Sequence, residues 1–378
     1  MDTQKITEYL DSLAEKGIPS VDMIVMKDHE VVYRHMNGFT DEAKTLPVRA
    51  DQRYLMFSMT KVQTMTALMQ LVEQGKISLE DEVRRFLPAY NDIQITTPDG
   101  SVAPMETVLK VKHLVSMQSG LDYDLERAGI KRVLKEKGDK ATTREIVDSF
   151  VETPFLFEPG THFNYSLSHD VVAAIIEVVS GMSFGEYLKK NIWEPLGMNN
   201  TFFASPSNDD VERLADQYIV NPEGKIVKME KTCNYQLSAS YESGGAGLIS
   251  CTEDYAKLAD TIACGGVTKD GVRILNPETI DIIKTNLLGP DSRKDIVEKM
   301  GRRGYGYGVG MQIFMEPAAV NSPAPSGIFG WDGAAGSCIQ MNKETKTSFV
   351  YTMHIRNFGY CYDVIHPHLR DLVFGTLD

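Results

Sequence analysis

Strand-like runs sit near the two ends of the chain, and this constrains the fold more than any other feature. "SVDMIVMKDHEVVYRHMNG", from residue 20, reads as two apolar runs around a polar turn at Lys27 to Glu30, a hairpin. The remaining strand signals come late: "YGVGMQIF" (307–314), "GIFGWDG" (327–333), "GSCIQMN" (336–342) and "TSFVYTMHI" (347–355). A helix precedes the hairpin, another follows from about Tyr362, and the middle of the chain alternates helix and loop. One sheet must therefore draw its strands from both extremities, which is an α+β fold: an antiparallel sheet flanked by helices with an inserted helical region. Residues 1–75 and 235–378 are expected to form the sheet domain and residues 76–234 the mainly helical insertion. No internal repeat or long linker separates them, so they should share an interface, where ligand clefts form preferentially.

A chain of 378 residues with 42% apolar and 24% charged residues can bury a large core, and neither disorder nor membrane residence is implied. Its net charge of -13 disfavours nucleic acid and anionic membranes as partners. The N-terminal stretch "MDTQKITEYLDSLAEKG" mixes charges into a helical pattern and reads as neither a secretion signal nor a membrane span, so a cytoplasmic protein is expected. Cys233, Cys251, Cys264, Cys338 and Cys361 are scattered, odd in number and without a Cys-x-x-Cys pair, which suits reduced thiols rather than disulfides or a zinc site.

"FSMTK", residues 57–61, opens a helix expected from Ser58 to Gln74, with Val62, Met65, Leu68, Met69 and Val72 as its apolar positions and Gly75 as its stop. Positions 58, 61, 65, 68 and 72 fall on one stripe. Lys61 thus lies beside the buried face, where desolvation moves an amine's pKa down toward a value useful for taking a proton. Ser58 lies in the first turn, where free N–H groups can stabilise an oxyanion. The same spacing also suits an ordinary N-cap serine and a lysine reaching water along its stem, and the segment alone leaves both open.

"EPGTHFNYSLSHD" places Tyr165 in a loop before a helix, expected to be capped by Ser168, that runs through "VVAAIIEVVSG"; "FGWDGAAGS" (329–337) is a bent strand of small residues. In the order Ser58-Met59-Thr60-Lys61, Tyr165-Ser166-Leu167 and Trp331-Asp332-Gly333, the chain resembles the serine β-lactamase and penicillin-binding-protein superfamily. Within it, the class C-like branch that includes the family VIII carboxylesterases is most similar. "HLVSMQSGLDYD", "PLGMNNTFF" and "GGAGLISCTEDYAKLA" extend the resemblance from about residue 20 to 355. It implies a β-lactamase/transpeptidase-like fold, Ser58 as nucleophile, Lys61 and Tyr165 sharing the general-base work, and an oxyanion hole made by the N–H groups of Ser58 and Ala334. It calls for no cofactor and no metal. A cationic Lys61 would lower the pKa of Tyr165 and a phenolate would raise that of Lys61, so that the two titrate together.

Leu167, Trp331, Asp332 and Gly333 are the expected substrate contacts, and three of them depart from the family pattern. β-Lactam and peptide-processing members carry asparagine where this chain has Leu167, and lysine or histidine where it has Trp331. Trp331 resembles the esterase and acyltransferase branch. Asp332 departs from that branch too: it either points away from Trp331 along the strand or, facing the cleft, repels anionic substrates. The expected activity is a serine carboxylesterase acting through an acyl-enzyme on a small-molecule ester or amide. A β-lactamase, D-amino-acid peptidase or acyltransferase is the alternative, and a catalytically silent binding protein is an alternative of another class.

Other local patterns read as structural. "GMSFG" (181–185) has the spacing of a nucleophile elbow, but it follows a helix, and Ser183 with Glu186 forms a capping box. His366 and His368 are expected at the surface or in a cap. His162 and His169, which bracket Tyr165, are expected in structural roles. "GRRGYGYG" (301–308) runs into a strand and lacks the ending of a phosphate loop.

Overall fold

Both ends of the chain enter one antiparallel sheet in a computed structural model, which describes residues 1–203 and 213–375. Its strands are β1 (Ser20–Lys27), β2 (Glu30–Gly38), β3 (Tyr305–Tyr307), β4 (Gln312–Phe314), β5 (Phe329–Asp332), β6 (Cys338–Asn342) and β7 (Thr347–Thr352). They lie in the order β3-β4-β5-β6-β7-β1-β2, so the N-terminal hairpin closes onto the last long strand, Ile24 opposite Val350. The hairpin turn is Asp28-His29, both with positive φ, the two-residue geometry whose twist matches the flanking strands. The run expected as one strand over 307–314 is instead two. Gly308 to Gly310 turn the chain back between β3 and β4, with Gly310 at φ +68°, packed so closely on Met65 that no side chain fits there.

Side chains alternate between two cores. Met23, Val25, Phe349 and Tyr351 face α1 (Thr3–Ser12) and the C-terminal helix His366–Phe374, while Ile24, Ile339, Met341 and Val350 face the other way. That second core is continuous with Val111, Phe150 and Ile175 of the inserted region, which also carries two short hairpins, Gln94–Pro104 and Gln217–Met229.

The helix expected from Ser58 begins two residues later, as α2 (Thr60–Glu73), with Gly75 ending it at φ +67°. It is buried on every side from Thr60 to Leu71, not along one stripe alone, and its polar residues find partners. Trp193 Nε1 donates to Gln63, and Thr64 Oγ1 donates to the Gly244 carbonyl at 2.6 Å. α3 (Ser168–Ser180) packs against α2. Ser168 does not cap it; the residue is the first of the helix, and its hydroxyl is spent on Ser119 and Ser166. Ser183 does cap the short helix Phe184–Leu188, its Oγ accepting from Glu186 N and Glu186 reaching back to Ser183 N. A serine so used has no strand before it and is not an elbow. All five cysteines are free. Among the described residues no single helix is long and apolar enough to cross a membrane.

Candidate active site

Ser58 lies at the join between sheet and inserted region, in a single 3-10 turn, Phe57–Met59, that leads into α2. Phe57 holds φ +45°, a strained value for an aromatic residue, and the buried packing of its ring sustains it. Ser58 makes no side-chain cap to the helix, so its hydroxyl is free for other partners.

Lys61, one turn on, is completely buried. Its Nζ lies 3.2 Å from Ser58 Oγ, 3.1 Å from Tyr123 OH and 2.7 Å from the Gly245 carbonyl oxygen. Burial pushes its pKa down from 10.5 to about 7, against the pull of the Asp170 and Asp332 carboxylates. A neutral amine has two N–H bonds and one lone pair. Gly245 and Tyr123 can take the two hydrogens, which leaves the lone pair for the Ser58 hydroxyl proton.

Tyr165 is placed against the same group. Its ring stacks on Tyr123 at 5.4 Å and lies 4.7 Å under the Lys61 amine, and its hydroxyl contacts Ser58. Trp331 Nε1 donates to the Tyr165 hydroxyl at 3.1 Å. The expected mutual shift of Lys61 and Tyr165 is not what dominates: burial drives the Tyr165 phenol up and the Lys61 amine down, so that near pH 7 the phenol keeps its proton while a large share of the amine is free base.

β5 brings the third motif alongside. Gly333 sits so close to the Met56 carbonyl that a methyl group there would collide with it, and the Tyr362 hydroxyl donates to the Gly333 carbonyl at 2.9 Å. Among the described residues the backbone N–H groups of Ser58 and Ala334 have no hydrogen-bond partner. A cleft of about 410 Å³ opens here, lined by Ser58, Tyr123, Tyr165, Tyr235, Trp331 and Tyr362 among others.

The expected substrate contacts divide. Gly333 and Asp332 line the cleft. Trp331 also borders it but is 1% exposed and stands edge-on to Tyr307 at 5.1 Å, so it offers less surface than support for Tyr165. Leu167 does not line the cleft: it packs in the core, where an apolar side chain at the head of α3 is drawn. Asp332 does not confront the substrate as a bare charge. Burial would raise its carboxyl, yet the Arg302 guanidinium that bonds it, with His366, holds it below the usual carboxylate range.

Tyr123, Gly245 and Arg302 are the site residues that sequence reading missed. Tyr123 lay inside the quoted "SGLDYD" and Gly245 inside "GGAG", and neither has a local pattern that marks it. Gly245 is obligatory: a methyl there would come within 2.7 Å of Asp170 Oδ2 and 3.0 Å of Tyr123 OH. Asp170 supports this corner from behind, its Oδ1 accepting from Tyr241 and Ser243.

Among the histidines, His162 is exposed and paired with Asp295 at 2.9 Å, and His169 is buried in the core. His368 is exposed against the Tyr9 ring. His366 is not at the surface as expected: it is 2% exposed, wedged between the Gly336 carbonyl and Cys361 Sγ, because the terminal helix lays it against the loop after β5. Asp28, His29 and Cys264 bring metal-type ligand atoms within 4.8 Å of one another at the hairpin turn, but Lys346 occupies Asp28 and Asp260 occupies His29.

This fold, with a serine at the head of a buried helix and a lysine one turn on, defines a serine hydrolase. Residues 3–362 match the Beta-lactamase family model, and the chain belongs to that family. It is 26% identical over 348 residues to Esterase EstB of Burkholderia gladioli, covering 86% of this chain and 83% of that one. It is also 26% identical over 336 residues to Acyltransferase calJ of Penicillium decumbens, covering 83% and 78%. Among solved structures, EstCE1, a hydrolase with promiscuous acyltransferase activity, shares the fold at TM-score 0.76 and 24% identity, with 99% and 97% covered. Simvastatin synthase (LovD) of Aspergillus terreus does so at TM-score 0.79 and 19% identity, with 99% and 98% covered.

Proposed function

We propose that the protein is a carboxylesterase for small acyl esters, with Ser58 as nucleophile. The observation that carries this is the Lys61 amine, buried, lowered in pKa to about 7 and 3.2 Å from Ser58 Oγ. As Ser58 Oγ bonds to the ester carbonyl, its proton passes to Lys61, and the resulting oxyanion is met by the N–H groups of Ser58 and Ala334. On collapse the carbon–oxygen bond to the alcohol breaks. The departing oxygen takes up the proton that Lys61 received, relayed through the Tyr165 hydroxyl, which gives one proton and receives one and so ends the step as the phenol that burial favours. Water then repeats the sequence on the acyl-enzyme. The aromatic cleft and its paired charges suit neutral substrates, and Leu167, buried and without an amide, gives no support to an acylamido-binding peptidase or β-lactamase. A cytoplasmic site of action is part of this reading, supported by five free thiols.

Labelling with a fluorophosphonate and turnover of short p-nitrophenyl esters test it. Ser58 should gain the probe mass and aryl esters should turn over. An intact protein with an unlabelled Ser58 makes this a silent binding protein, and cephalosporin turnover without ester turnover overturns the substrate class. The resemblance to Acyltransferase calJ favours transfer to an alcohol as a second reading, and faster release of the first product on adding an alcohol acceptor would reveal it.

A further inference from the structure

The Ala334 N–H, the second donor of the oxyanion hole, belongs to the tight turn between β5 and β6, and that turn is tied down from outside itself. Within it the Gly333 N–H donates to the Ser337 carbonyl at 2.8 Å and the Gly336 N–H to the Gly333 carbonyl at 2.9 Å. Three of its carbonyls are bonded by the segment that follows β7. The Tyr362 hydroxyl donates to Gly333 at 2.9 Å, the Ile355 N–H donates to Ala335 at 3.0 Å, and His366 Nε2 lies 3.0 Å from the Gly336 oxygen.

The Tyr362 bond differs from the other two in the peptide it grips. The Gly333 C=O and the Ala334 N–H are the two ends of one planar trans unit, and they point in opposite directions. Holding the carbonyl toward Tyr362 therefore fixes the direction of the N–H. Gly333 has no side chain whose packing could do this, because a methyl there would come within 2.3 Å of the Met56 carbonyl oxygen, so hydrogen bonds set the rotation of this peptide. With the Gly336 N–H and the Tyr362 O–H both on it, the Gly333 oxygen has its two lone pairs filled, and a carbonyl so polarised makes its own N–H a stronger donor. Tyr362 is itself held in place: its half-buried ring stands edge-on to His366 at 5.5 Å, with the Arg302 guanidinium 5.9 Å from its centre. Burial pushes its phenol up, so the hydroxyl keeps the proton it donates. We infer that Tyr362 is a positioning residue of the oxyanion hole, its hydroxyl aiming the Ala334 N–H at the oxygen that becomes anionic when Ser58 adds to the ester. The inference rests on the esterase reading and adds to it a residue from the turn that leads into the terminal helix.

Tyr362→Phe removes the hydroxyl and keeps the ring. With the fold retained by circular dichroism, kcat for p-nitrophenyl butyrate should fall about tenfold or more and KM should change little. Butyl trifluoromethyl ketone supplies a readout that a merely structural role would not move. Ser58 Oγ bonds to its carbonyl carbon, the hydroxyl proton passes to Lys61, and the ketone oxygen becomes an anion in the hole. Its inhibition constant should rise in the variant by the factor lost from kcat/KM, to within about threefold, while that of butyl methyl ketone, which stays trigonal, should not move. The infrared stretch of an isotope-labelled butyryl carbonyl on Ser58 should shift to higher wavenumber in the variant as the hole loosens. A raised KM with unchanged kcat, or equal weakening of both ketones, makes Tyr362 part of the cleft wall and overturns the inference. So does an unchanged kcat/KM, and in each of these cases ester turnover by the wild type leaves the esterase reading standing. A wild-type protein that turns over no ester and whose Ser58 takes no fluorophosphonate removes the esterase reading itself.

Discussion

Replacing Lys61 by methionine keeps the unbranched chain and removes the amine, and its effect can be worked out from the burial of that group. The folded pKa is about 7 against 10.5 in the exposed chain, a gap worth about 5 kcal/mol at 1.36 kcal/mol per unit. Between these values the unfolded chain binds the proton that the folded one does not, so this group's contribution to stability rises with pH. The cost is fully present below pH 7, falls as the pH climbs toward 10.5, and vanishes above it. Between pH 7 and pH 9.5 the wild type should therefore gain about 3 kcal/mol that the methionine variant does not. Unpairing the Gly245 carbonyl and the Tyr123 hydroxyl costs the variant about 1–3 kcal/mol each, and this offset is the same at both pH values. Near pH 7 the two effects roughly cancel, and by pH 9.5 the variant is clearly the weaker protein. Urea unfolding at the two pH values measures this directly. A wild-type-to-variant gap that does not change with pH would refute the argument, because Lys61 would then not be held neutral by burial. Acylation should slow by about two to four orders of magnitude in the variant.

Ser58→Ala should abolish fluorophosphonate labelling, while Ser183→Ala should keep it and lose about 1 kcal/mol of stability with its helix cap, read by thermal melting. Gly245→Ala should lower ester turnover at least tenfold with the fold retained by circular dichroism, since the new methyl crowds the Asp170 carboxylate and the Tyr123 hydroxyl that contacts Lys61. Trp331→Phe preserves the buried ring and deletes the N–H that meets Tyr165; kcat should fall about tenfold with KM little changed, about the worth of one hydrogen bond, and an unchanged kcat would count against the positioning role. Asp332→Asn should destabilise the protein by about 3–5 kcal/mol in urea titration, because it strands the buried Arg302 guanidinium.

What could be read from the chain beforehand was local in sequence. The hairpin, its polar turn and α2 with its glycine stop each follow from periodicity over a dozen residues, and the Ser58–Lys61 spacing puts both side chains on one helical face. The alternation of a strand also fits Asp332 turning to the face opposite Trp331, where it meets His366 and Arg302. What could not be read is what each of these groups meets. Lys61 could have snorkelled, and what prevents it is Gly245 and Tyr123, 184 and 62 residues away, neither carrying a local signal. Whether Asp332 would act as a repulsive charge stayed open, because its counterion comes from a loop 30 residues upstream. A residue's type and spacing state what it can do, while its protonation state and charge are decided by neighbours that only the tertiary fold supplies. The lysine and the aspartate were therefore visible as candidates, and their neutral amine and neutralised carboxylate became apparent only with the three-dimensional arrangement.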